Sequence, residues 1–168
     1  FLVKYDSSGT KQWTKQLGTS SLDVGIDVTI DSSGNIYVTG FTGGGLDGNT
    51  SSGKEDIILV KYNSSGTKQW TKQLGTSSLD EGNDITIDSS GNIYVTGYTG
   101  GGLDGNTSSG KNDIFLIKYN SSGTKQWTKQ LGSYRNDQGY GVTTDSSGNI
   151  YVTGETWEGL DGNTYSGQ

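Results

Sequence analysis

Carboxylates and aromatic rings carry what chemistry this chain can do. Its 168 residues include no His, Cys or Met, which removes nucleophile–His systems and the common zinc ligand sets. No G-x-x-x-x-G-K-[ST] loop is present to cradle a phosphate. Three groups of residues remain. The acids Asp27, Asp31, Asp84, Asp88 and Asp145 could in principle supply the paired carboxylates of glycoside hydrolysis. The LDGN loops bring Asp47 and Asn49, Asp104 and Asn106, and Asp161 and Asn163 two apart, a spacing of oxygen donors that Ca²⁺ can use. They lack the EF-hand glycine at the sixth position and glutamate at the twelfth, and a plain Asp-Gly turn is the stronger reading. The third group is Tyr134, Arg135, Tyr140, Glu155, Trp157, Glu158 and Tyr165. Rings cover the C–H faces of a sugar, and charged groups hydrogen-bond its hydroxyls or a partner's charges.

Repetition decides among these groups. Tyr5, Tyr62 and Tyr119 recur every 57 residues, as do Trp13, Trp70 and Trp127, and Tyr37, Tyr94 and Tyr151. A fixed period of this length marks a solenoid, propeller or other array. The units are 1–57, 58–114 and 115–168, together one repeat domain. The first two copies differ only at Phe1/Ile58, Asp6/Asn63, Val24/Glu81, Ile26/Asn83, Val28/Ile85, Phe41/Tyr98 and Glu55/Asn112. Such near-identity fits recent duplication or design. Residues that recur in every copy read as architecture, which demotes the aspartates and the tryptophans of the period. The third group is the exception. Thr76 to Asp84 and Tyr98 to Ser108 of the second copy hold mostly small or polar residues where the third places Tyr134, Arg135, Tyr140, Glu155, Trp157, Glu158 and Tyr165.

Those side chains must be positioned by strands. Apolar runs such as Ile57 to Tyr62 suit a strand buried on both faces. The DSSG and NSSG stretches are hairpin turns, opened by the Asx side chain and closed by a glycine at positive φ. TKQWTKQL, from Thr67 to Leu74, is a polar strand whose lysines suit an edge. Gly75 to Gly82 reads as a connection, Asp84 to Asp88 as a third strand and Asn92 to Thr99 as a fourth. The long connection Gly100 to Asn112 leads to the next copy. Strands this short between turns this frequent indicate an all-β sandwich, barrel or propeller. That pattern overrides a composition of 28% hydrophobic residues and net charge −6, which alone leans toward disorder.

The units DSSGNIYVTGYT and DIFLIKYNSSGTKQWTKQLG resemble the bacterial β-propeller repeat family, often called the seven-bladed propeller repeat, and the resemblance covers nearly the whole chain. It implies one four-stranded antiparallel blade per unit, with DITID innermost and TKQWTKQLG outermost. It also implies strand exchange between the chain ends, since Phe1 to Leu17 supplies two outer strands and Tyr140 to Thr156 two inner ones. Three blades fall short of the ~4–8 of known propellers. Self-association of two chains into a six-bladed ring is therefore expected; otherwise the chain is an arc beside neighbouring repeats of something longer, in line with its lack of an initiator Met. A β-trefoil is the alternative fold.

In a four-stranded meander the connections after the second and fourth strands emerge on one rim, so both variable stretches share it. The expected function is a non-enzymatic binding module for carbohydrate or protein, with a purely structural scaffold or excised or designed fragment as the alternative and a carboxylate glycosidase least favoured. The family implies a bacterial extracellular or cell-surface protein. No cofactor is expected, with Ca²⁺ the weak exception. A pI near 4.5 argues against nucleic acid as a partner. The lack of any ~18-residue apolar run argues against membrane insertion.

Overall fold

A computed structural model describes residues 1–167. Twelve strands follow one another: β1 (Leu2–Tyr5), β2 (Lys11–Lys15), β3 (Asp23–Ile30), β4 (Ile36–Thr42), β5 (Asp56–Tyr62), β6 (Lys68–Leu74), β7 (Asp80–Ile87), β8 (Ile93–Thr99), β9 (Asp113–Tyr119), β10 (Lys125–Leu131), β11 (Asp137–Thr144) and β12 (Ile150–Thr156). They form four antiparallel sheets: β1-β2, β3-β4-β5-β6, β7-β8-β9-β10 and β11-β12. Two complete blades thus stand between two half-blades, the first holding outer strands and the last inner ones. Separate sheets packed face to face are a propeller arrangement and not a trefoil.

Each strand sits where its sequence fits. β5, DIILVKY, is buried on both faces except at Lys61. β6, KQWTKQL, is the outermost strand, and its lysines mark the edge. The β3–β4 turn is held by one carboxylate: Asp31 accepts from the backbone N–H groups of Ser33 and Asn35, both at 2.9 Å. Gly34, at φ +80°, supplies the left-handed residue that closes the turn. Between blades, Ile57, Leu59, Ile85, Val95, Leu103, Phe115 and Ile117 form the larger buried cluster.

The inner strand corrects one expectation. β7 begins at Asp80, not Asp84, and takes in residues the sequence reading gave to a connection. A bulge between Gly82 and Asp84 shifts its register against β8 and breaks the period-2 pattern upstream. Opposite the bulge the backbones nearly touch: a Cβ on Gly97 would lie 1.9 Å from the Glu81 carbonyl oxygen. Gly40 and Gly154 stand in the same relation to Val24 and Gln138.

Candidate functional site

The two variable stretches meet on one rim, and β-pairing brings them together. Asp137 of β11 lies opposite Thr156 of β12, so the loop before β11 and the loop after β12 leave the sheet side by side. The Trp157 N–H then donates to the Asn136 carbonyl at 3.1 Å. The Thr156 hydroxyl donates to the Glu158 carbonyl at 2.7 Å, curling the chain back over the rim. On the other loop, the Asp137 carboxylate accepts from the Ser133 N–H, and the Arg135 N–H donates to the Ser133 hydroxyl at 3.2 Å.

This geometry places Arg135, Trp157, Glu158 and Tyr165 around one open depression of about 400 Å³. The remaining expected residues lie elsewhere. Tyr134 is the most exposed of them at 79% and does not line the depression. Tyr140 and Glu155 are neighbours: burial, and then the nearby Glu155 carboxylate, raises the Tyr140 phenol above its ordinary value. An indole, a guanidinium, a carboxylate and a phenol around one concavity offer a stacking surface with donors and acceptors of both charges.

In the first two LDGN loops the aspartate is paired within the chain. Asp47 and Asp104, both at positive φ, form ion pairs with Lys68 and Lys125. Asn49, Asn106 and Asn163 fold their amides back onto the carbonyls of Leu46, Leu103 and Leu160. Among the described residues no cluster of three or more acids could hold a metal ion. The repeating acids divide by role. Asp31, Asp88 and Asp145 each anchor a turn. Asp27 and Asp84 reach from one blade to the next, accepting from the Ile85 N–H at 3.0 Å and the Val142 N–H at 2.6 Å. Burial, and then the nearby Asp27 carboxyl, raises the Asp84 pKa.

One cluster escaped the sequence reading. Within the second blade, the Tyr98 hydroxyl donates to Glu81 directly opposite it. Burial, and then the Glu81 charge, raises the Glu55 carboxyl above its ordinary value. The signal was present: Glu55, Glu81 and Tyr98 are three of the seven positions at which the first two copies differ.

The comparison with known families decides the architecture's name. A model of the beta-propeller repeat matches three times, over residues 12–47, 69–104 and 126–161. The chain belongs to the beta-propeller repeat family. This repeat protein is also 28% identical over 181 residues to an uncharacterized WD repeat-containing protein, L264, of Acanthamoeba polyphaga mimivirus, covering 84% of this chain and 13% of that protein. It is 27% identical over 186 residues to the regulatory protein FlaEY of Caulobacter vibrioides, covering 96% of this chain and 19% of that protein. The chain thus spans less than a fifth of the length of either relative. Repeat architecture of this kind makes it an interaction module in the general sense. Among the described residues no helix is long and apolar enough to cross a membrane.

Proposed function

We propose that this propeller segment is a non-enzymatic, extracellular or cell-surface bacterial module that binds a carbohydrate or protein ligand on the rim of its third repeat. The observation that supports this reading is the depression lined by Arg135, Trp157, Glu158 and Tyr165, built from the residues by which the third copy departs from the second. Trp157 supplies the stacking face, and Arg135 and Glu158 hydrogen-bond hydroxyls or opposite charges. Trp157 is 51% exposed, so its ring is presented to solvent instead of filling a core. The reading needs no cofactor or metal.

The test is a glycan and peptide array probed with the intact chain, followed by titration of whatever binds. Trp157→Ala should weaken binding roughly tenfold or more, as loss of a central aromatic anchor does, and leave the thermal melt unchanged. Undiminished binding by that variant would remove the site.

A further inference from the structure

The seam between the two complete blades buries a pair of aspartates side by side. Residues directly opposite each other on paired strands share a face of the sheet. Asp23 of β3 lies opposite Thr42 of β4, and Thr42 opposite Asp56 of β5. Asp80, Thr99 and Asp113 repeat that row in the second blade. A parallel bridge across the seam pairs Glu55 with Leu79, and the Asp80 N–H donates to the Glu55 carbonyl at 3.0 Å. The next residues along the two strands, Asp56 and Asp80, are therefore neighbours. Both are 0% exposed.

Their hydrogen bonds leave one oxygen over. Asp56 Oδ2 accepts from the Gln73 amide at 2.7 Å and the Ser52 N–H at 2.8 Å. Asp80 accepts from the Thr76 N–H at 2.6 Å, the Thr76 hydroxyl at 2.9 Å and the Thr99 hydroxyl. Asp56 Oδ1 is buried without a donor. It lies against the Gly75 backbone, where an added Cβ would be 2.0 Å away. Asp113 Oδ1 is orphaned in the same place against Gly132, so the arrangement belongs to the repeat.

No base answers the pair. The titratable groups that face it are Glu55 beside Asp56, Glu81 beside Asp80, Tyr98 of β8, and Asp23 across Thr42. Lys54 is exposed, and Lys72 lies over the Trp70 ring at 5.7 Å. The ion pairs among the described residues join Lys68 to Asp47 and Lys125 to Asp104. Two ionised carboxylates side by side out of water lose their hydration and repel each other. We propose that the Asp56–Asp80 pair holds one proton under conditions where exposed aspartates are already ionised, making the joint between the first and second blades a pH-sensitive one. The proton removes one of two like charges and gives the pair a donor that Asp56 Oδ1 lacks. The pair titrates as a unit. Burial first, and the Asp56 charge with it, raises the Asp80 carboxyl above its ordinary value against the bonds from Thr99 and Thr76. Acid therefore closes the joint. Stability from the stored proton is complete below 3.8 and is lost as pH rises through the folded value.

Asp56→Asn tests this. The amide oxygen still accepts from Gln73 and Ser52, and the amide hydrogens stand in for the proton. In urea unfolding across a pH series, the unfolding constant of the unmodified chain should rise relative to that of the variant by about tenfold per pH unit above 3.8, until the folded pair itself titrates. Infrared spectroscopy reads the proton directly. A background of Asp84→Asn and Glu55→Asn removes the other raised carboxyls. At about pH 5.5, where an exposed aspartate is ionised, that folded background should show the C=O stretch of a protonated carboxyl, and adding Asp56→Asn should remove it. The band is read before Asp56→Asn is introduced, so it decides even where that variant does not fold. Absence of the band, or a variant with the pH slope of the unmodified chain, overturns the proposal. Absence of the band together with a midpoint that rises with added Ca²⁺ or Na⁺ overturns it in favour of a cation at the orphaned oxygen.

Discussion

Asp31→Ala and Asp145→Ala remove the same carboxylate from two copies of one turn, and the structure predicts unequal costs. Asp31 accepts from the N–H groups of Ser33 and Asn35 at 2.9 Å, the Asn35 amide at 2.8 Å and the Tyr37 hydroxyl at 3.0 Å. Asp145 accepts the same four bonds from Ser147, Asn149 and Tyr151. The difference is burial: Tyr37 is 1% exposed and Tyr151 55%. Burial and the Asp31 charge push the Tyr37 phenol far above its ordinary pKa. When Asp31 is lost, the two N–H groups at the surface turn to water, but the Tyr37 hydroxyl is left without a partner. That costs about 1–3 kcal/mol, and losing a side chain that satisfies backbone donors costs about 1 kcal/mol more. With a urea slope of about 2 kcal/mol per molar, the sum of about 2–4 kcal/mol lowers the midpoint by about 1–2 M. The Asp145 variant should lose less than half as much. The assay is urea unfolding followed by tryptophan fluorescence, with Trp70 against Tyr37 as reporter. Equal losses in the two variants would refute the argument from burial.

Other expectations follow from the same geometry. Burial tends to raise the Asp31 pKa, but hydrogen bonds from Asn35, Tyr37 and Ser33 outweigh it and hold it below 3.8. Its stabilisation is therefore complete above 3.8 and is lost as pH falls through the depressed value; Asp31→Asn should flatten the acid limb of a plot of urea midpoint against pH. Asp84 runs the other way. Its raised pKa means the folded state holds the proton longer, so stability falls as pH rises from 3.8 through the folded value. Asp84→Asn should remove that fall and raise the thermal midpoint at pH 7, because an amide oxygen still accepts from Val142; a lower midpoint would refute the like-charge account. Gly97→Ala forces a Cβ to within 1.9 Å of the Glu81 carbonyl oxygen and should cost more than about 3 kcal/mol, seen as loss of a cooperative melt.

Most of the architecture was legible because the repeat multiplies every local signal. The turn words DSSG and NSSG, the apolar Ile57–Tyr62 run and the lysine-bearing strand from Lys68 each recur, and each occupies the place its chemistry indicates. The start of β7 was hidden because the bulge at Gly82 and Asp84 breaks the alternation that marks a strand. The candidate site was half legible. Divergence of the third copy identified its residues, and strand order placed them on one rim. Only the structure separates Arg135, Trp157, Glu158 and Tyr165, which share a depression, from Tyr134, Tyr140 and Glu155, which lie outside it. The Glu55–Glu81–Tyr98 cluster was not legible because Glu55 and Glu81 belong to different repeats, and only the contact of one blade with the next brings their carboxylates together.

The carboxylates that reach between blades give the chain a mechanical grain. Asp27 grips the strand ahead through the Ile85 N–H, and Asp84 does the same through Val142. The third repeat has Gly141 at this position and passes no such grip forward. Whatever blade follows it is held by side-chain packing and strand edges, without that axial clasp. Pulled from its ends, an array of these repeats should yield first at the seam behind Gly141, with the two clasped seams rupturing later and at higher force.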